Sequence, residues 1–250
     1  MRTDHRCRQG LSLAELVVAL WLSALVAAIV VTLLHTVSRL AGHSADRADV
    51  LEATRTAAAI LSADLAGLDP IADLYRLEPE SLSLRVFRGT GIVCGFAGSD
   101  PLVRYRGLRQ PEPVKDSVLV LTASPAERAV SLDDAAPAAG ACPAAATEDV
   151  FRIRLATALV DRDLIAIFEP GSYHLDGAFR YRRGAGGRQP VTADVFADSS
   201  GYTLQRAAGQ GGVVGITARL YPQASSSNIR GAATGAAARV RVPLRNREDP

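Results

Sequence analysis

Few residues of this chain are of a type and placement to do chemistry. Glu15 stands in an otherwise uncharged apolar run; Cys7, Cys94 and Cys142 are the cysteines, and His5, His35, His43 and His174 the histidines. Arg180, Arg182, Arg183 and Arg188 surround the tract Gly184-Ala185-Gly186-Gly187. A carboxylate inside a membrane-length apolar segment costs up to ~3 kcal/mol at the bilayer centre and less near the interface, and it marks function by default. The histidines have no metal-binding spacing such as HExxH, so no metal site is expected. Asp133-Asp134 and Asp161/Asp163 lack a calcium-loop pattern and read as turn residues. The arginines around the glycine tract suit phosphate or DNA contact if they are free, and a flexible hairpin tip with solvated arginines otherwise; the second is the expectation. There is no GxSxG, Walker or dinucleotide fingerprint. The sequence thus predicts no enzyme, no catalytic residues and no cofactor.

The elements that position these residues are unevenly distributed. Of 250 residues, 48% are hydrophobic and 22% charged, which excludes wholesale disorder, and a net charge of +2 argues against a nucleic-acid partner. Leu16 to Leu34 carries no charge. As a helix it spans roughly 28 Å, close to the ~30 Å core of a bilayer. Before it, Arg2, Arg6 and Arg8 outnumber Asp4, and a short basic N-terminus stays cytoplasmic while the long remainder crosses. A conventional signal peptide would be cut near Val26-Ala27-Ala28, but the apolar run continues through Leu34. A plain uncleaved anchor fits the length and leaves Glu15 without a role.

The segment Arg8 to Leu20, RQGLSLAELVVAL, resembles the class III signal of type IV pilins and type II secretion pseudopilins. The shared features are a basic leader ending in Gly10, an apolar residue after it, Glu15 at the fifth position beyond the cut, and an unbroken apolar helix. Leu11 stands where that family usually has Phe. The resemblance implies cleavage by a prepilin peptidase between Gly10 and Leu11, and N-methylation of Leu11. Gly at the cut lets the protease backbone approach closely. It also gives Glu15 a role in assembly, since the carboxylate lies one helical turn from Leu11. From there it can neutralise its own or a neighbour's terminal amine, so that the pair sets register between subunits. The bland reading is a carboxylate snorkelling to the headgroups. The implied partners are the peptidase, other pilins or pseudopilins through N-terminal helix packing, the inner membrane and assembly-platform proteins. The implied location is a single pass in that membrane with the head outside the cytoplasm, then a pilus or pseudopilus.

Beyond the membrane the helical pattern continues. The first proline is Pro70, and Leu40, Leu51, Ala58, Leu61, Leu65 and Leu68 follow a three-four spacing. This predicts one helix over about 12–67, ended by Gly67 and Pro70. Short apolar or alternating runs then predict about eight strands, at 81–87, 117–123, 150–156, 164–170, 173–183, 201–207, 213–222 and 238–244. Asp161-Arg162-Asp163 and Gly209 to Gly212 read as punctuation, and 124–147 and 223–237 as exposed loops. The expected fold is α+β: a leader (1–10), a transmembrane and assembly half-helix (11–34), an extramembrane half-helix (35–69) and a β-rich, mostly antiparallel head (70–250). Such a helix with such a head resembles minor subunits of the pilin family, the J-type pseudopilins and W-like minor pilins. Major pilins commonly have a proline in the membrane segment, and this chain has none.

Removal of the leader would take Cys7 with it and leave Cys94 and Cys142 as an even pair outside the cytoplasm. They form either a disulfide or two buried free thiols. The functional expectation is a minor pilin or pseudopilin in initiation or priming. The alternatives are a DNA-binding or adhesive minor pilin using the Arg180–Arg188 hairpin, and an uncleaved anchored domain of other function.

Overall fold

The computed structural model describes residues 12–121, 128–143, 148–206, 213–223 and 238–243. Gly10, Leu11, the leader, the Gly209 to Gly212 tract and 224–237 lie outside them. By contacts the chain divides into two compact units, Met1–Asp49 and Val50–Pro250. One helix, α1 (Leu13–Leu65), contributes to both. In the first unit it is exposed on every face from Ser12 through Gly42. It is the one helix among the described residues long and apolar enough to cross a membrane.

In the second unit the end of α1 becomes amphipathic in fact. Ala53, Ala57, Leu61 and Leu65 are buried, a stripe with four-residue steps, and Leu68 follows just past the helix. Leu40 and Leu51, which share the expected apolar spacing, are 69% and 56% exposed. Full burial begins only at Ala53, and the first two positions of the buried stripe are alanines rather than leucines. After Leu65 the chain turns: the Asp69 carboxylate accepts the N–H groups of Ile71 and Ala72 at 2.8 and 3.3 Å, an Asx-type turn around Pro70.

Twelve strands follow among the described residues: β1 (Leu74–Leu77), β2 (Ser81–Ala97), β3 (Asp100–Gly107), β4 (Ser117–Leu121), β5 (Arg128–Pro137), β6 (Asp149–Leu155), β7 (Leu164–Asp176), β8 (Ala178–Arg183), β9 (Arg188–Pro190), β10 (Gly201–Arg206), β11 (Val213–Leu220) and β12 (Ala238–Pro243). The expected eight were too few, and four differences have physical causes. β1 and β9 are short, and in β3 the apolar pattern is broken by Pro101, Arg104 and Arg106. β5 occupies the Ala-rich segment read as a loop, because β4 and β6 supply ladders on both its sides, which outweighs weak strand propensity. Asp133 and Asp134 therefore lie in β5, at a register shift, and are not turn residues. The run 173–183 is two strands joined at Gly177, whose φ of 78° suits glycine and where a Cβ would meet Asp194 Oδ1 at 2.1 Å.

All the ladders are antiparallel. β2, β3, β6, β5, β4 and β7 pair in that order, and β7 pairs back to β2, closing a six-stranded barrel. Val103, Val118, Leu132, Phe151, Ile153, Ile165 and Ile167 belong to its core. The first half of β2 and the second half of β7 run out of the barrel and, with β1, β8 and β9, make an open sheet. That sheet, the end of α1 and the separate sheet β10-β11-β12 share a second core containing Leu61, Leu65, Leu84, Tyr173, Phe179, Ile216 and Val242.

β2 serves both cores through a bulge. Leu82, Leu84 and Val86 face the helix, whereas Val93 faces the barrel. The register slips between Phe87 and Gly89, so Arg88 is the extra residue that switches the inward row from even to odd positions. β7 has no slip; its inward row reads Ile165, Ile167, Glu169, Gly171, Tyr173, Leu175, with one carboxylate between the two cores.

Candidate functional site

At the start of α1, Glu15 and Ser12 cap each other. The Ser12 N–H donates to Glu15 Oε2 at 3.0 Å, and the Glu15 N–H donates to Ser12 Oγ at 3.3 Å. This is the reciprocal capping box of an S-x-x-E sequence, which satisfies two of the orphan N–H groups of the first turn. Ser12 is a residue that the sequence reading passed over, although the four-residue pattern was present to find it. The nearest flanking positions, Gly10 and Leu11, lie outside the described residues.

The bulge at Arg88 and the carboxylate of Glu169 meet in an ionic cluster at the seam of the two cores. Arg88 donates to Glu169 Oε1 from Nε at 2.8 Å and from Nη2 at 2.6 Å, and the Tyr181 hydroxyl donates to the same oxygen at 2.6 Å. Gly171 makes this possible, since a Cβ there would lie 2.5 Å from the Tyr181 hydroxyl and 2.7 Å from Val86. Arg109, on the loop after β3, forks onto Asp116 at 2.7 and 2.6 Å and reaches Glu169 Oε2 at 2.8 Å. Arg183, at the end of β8, bonds Glu112 at 2.9 Å and Asp116 at 2.8 Å, and its Nε is paired with Glu169. Tyr105 donates to the carbonyls of Arg88 and Arg109 at 3.2 and 3.0 Å, tying the two arginine backbones together.

Burial alone would raise the Glu169 and Asp116 carboxyls. At Glu169 the hydrogen bonds from Tyr181 and Arg88 outweigh burial, and at Asp116 those from Arg109 and the Glu112 N–H do; both groups end below the ordinary carboxylate range. Burial pushes the Tyr105 phenol up to about 12, so it remains a donor. Asp64, at the end of α1, is hydrogen-bonded to the Tyr173 hydroxyl and lies 3.7 Å from Arg88; burial raises its carboxyl. A buried charge without a partner is far more costly than a pair, so Glu169 and Asp116 are held ionised by their arginine partners, whereas the neighbouring Glu169 charge adds to burial in disfavouring the ionised form of Asp64.

Above the cluster lies a cleft of about 810 Å³, walled by the Gly184 to Gly187 turn and by the loop carrying Leu108 to Lys115. Val114 on that loop has φ 70°, a conformation that costs a β-branched residue on the order of 1–3 kcal/mol. Its N–H is held by the Leu132 carbonyl at 2.9 Å.

The arginines around the glycine tract are partly solvated, and each has a partner within the protein. Arg183 belongs to the cluster, Arg180 and Arg188 pair with Asp176 at 2.6 and 2.8 Å, and Arg182 donates to the Gly186 carbonyl at 2.9 Å. His174 is buried on the neighbouring strand β7, its Nε2 2.9 Å from Ser172 Oγ, and burial together with Arg188 pushes its imidazole down. Cys94 and Cys142 are joined as a disulfide, which ties β2 to the segment after β5 beside Leu102 and Val150. Among the described residues no group of three or more His, Cys, Asp or Glu is placed to hold a metal ion. The cluster is not legible as a unit in the sequence. Its legible trace was Glu169, the lone charge in the strand run from Leu164 to Tyr173.

No family model, curated protein or solved structure matches the chain.

Proposed function

We propose that the chain is a minor pilin or pseudopilin, a structural subunit cut between Gly10 and Leu11 by a prepilin peptidase. It is then N-methylated on Leu11 and drawn from the inner membrane into a type IV pilus or a type II secretion pseudopilus. The reading is supported above all by the first unit: a helix exposed on every face from Ser12 through Gly42 and uncharged from Leu16 to Leu34, whose first carboxylate, Glu15, sits in the first turn. A helix with no polar face has no use in water and belongs in lipid or among like helices. The capping box gives Glu15 a local role within its own helix, and in sequence the same residue is four positions from Leu11, whose amine the cut would create. The N-terminus faces the cytoplasm and the β-rich unit lies outside it, which also suits the Cys94–Cys142 bridge. Neighbouring subunits meet through their N-terminal helices, and assembly-platform proteins are further partners.

The test is mass spectrometry of the N-terminus of membrane-extracted protein, produced with and without a co-expressed prepilin peptidase. N-methylated Leu11 in the presence of the peptidase alone is the expected result. An intact leader in both samples would leave an ordinary anchored domain and sink the assembly reading.

A further inference from the structure

We propose that the cleft over the ionic cluster recognises an acidic segment of a partner protein, an Asp or Glu beside an aliphatic residue, and that Glu112 is the internal carboxylate which that residue displaces. The inference concerns the β-rich unit alone and stands whether or not the leader is cut.

The charges of the cleft are layered. Its floor carboxylates are out of reach of solvent: the side chains of Asp116 and Glu169 are 0% and 4% exposed. Cations lie above them, with Arg109 and Arg183 partly exposed and Lys115 62% exposed at the mouth. On the accessible side these three cations face one carboxylate, Glu112, itself 41% exposed. Glu112 accepts from Lys115 at 2.8 Å and from Arg183 at 2.9 Å and lies 3.8 Å from Arg109. It thus holds the position that an incoming carboxylate would take. Pairs this open to water are weak and exchangeable, unlike those on the floor.

The layering also selects the chemistry of the ligand. Exchanging one carboxylate for another leaves the cluster balanced, whereas a doubly charged phosphate would bring an excess negative charge above Glu169 and Asp116. Beside the cationic wall stand two uncovered aliphatic side chains, Leu108 and Val114, the latter 90% exposed and fixed in its strained conformation. Strain retained at the lip of a charged cleft is the kind of feature that binding sites keep. They supply the apolar half of the recognition. On the opposite wall, side chains at Gly184 and Gly187 would meet nothing within 4 Å, so a peptide backbone has room to lie along that turn.

Calorimetric titration of the full chain in detergent micelles tests this, with the end-blocked peptide Ala-Leu-Glu-Leu-Ala as probe and its Glu→Gln counterpart and inorganic phosphate as controls. The Glu peptide is expected to saturate the protein and the Gln peptide to bind at least about tenfold more weakly, the scale of a charge-assisted contact. Glu112→Gln should tighten binding about fivefold by removing the internal competitor, and Lys115→Ala, at an exposed position, should weaken it by a similar factor. Equal binding of the two peptides, saturation by phosphate alone, or no tightening in a Glu112→Gln protein that melts like the wild type would each overturn the proposal.

Discussion

The barrel and the helix-backed sheet are made partly from the same two strands, yet they solve the problem of an unpaired edge in opposite ways. In the barrel β2 and β7 close a ring, so every strand of that ring has neighbours on both sides. In the open sheet the same strands need β1 and β8-β9 as borders, and the inward face is covered by α1 and by β10-β11-β12. Closure supplies hydrogen-bond partners by geometry; cover supplies apolar area, at roughly 1.5–3 kcal/mol per buried Leu or Ile. The two halves differ in what they depend on, and the Arg88–Glu169 cluster sits where they join. A bulge turns one strand between the cores, and a buried carboxylate marks the crossing on the other.

Breaking the seam should have the largest effect. Glu169→Leu removes the acceptor shared by Arg88, Arg109 and Arg183, leaves their charges partly uncompensated, and should cost about 3–5 kcal/mol. Urea unfolding followed by circular dichroism reads that loss, and amide exchange should show it in β6 and β11 alike. Leu61→Ala should come next, at about 2–5 kcal/mol. Its loss of exchange protection should concentrate in the end of α1 and in β10 to β12, while β3 to β6 remain protected. The complementary case is Cys142→Ser, which opens a bridge across a sequence separation of 48 and should cost about 2–4 kcal/mol, felt first in the barrel strands.

Acid titration separates the halves with the smallest effect. His174, on the open sheet, has its imidazole lowered by burial, so its contribution is present above its ordinary pKa of 6.5 and is lost as pH falls below that. Glu169 and Asp116 are also lowered, and their contribution is lost only as pH falls below their ordinary values of 4.5 and 3.8. Asp64 is raised, so its term has the opposite sign. It stabilises below pH 3.8 and fades as pH rises through its folded value, which blunts the acid loss. Melting temperature against pH should therefore fall slightly from 6.5 and steeply below about 4.5. A His174→Gln protein should lose the first decline and keep the second.

The helix was legible because a long stretch without proline is a local property, and its observed bounds, Leu13–Leu65, differ little from 12–67. Strands that alternate or run apolar, such as those beginning at Ser117, Asp149 and Gly201, were legible for the same reason. β5 was not. Of its ten residues Leu132 is the one buried hydrophobe, and only the flanking ladders of β4 and β6 make it a strand. Barrel closure was also invisible, because it depends on the partner chosen by β2 far along the chain. The site was legible residue by residue but not as a cluster: Arg183 was noticed beside its glycine turn, whereas its partners Glu112, Asp116 and Glu169 come from two other stretches of sequence.

The shared ladder sets a timetable as well as an architecture. Leu82 pairs with Tyr173, ninety-one positions later in the chain. At about 5–20 residues per second, β2 leaves the ribosome roughly 5–18 s before its partner exists. For that interval a strand of seventeen residues, rich in apolar side chains on either side of its bulge, has one flank that no earlier segment can cover. A chain built this way needs β2 kept apart from other copies until β7 arrives, by a chaperone or by passage across a membrane before the ladder can zip.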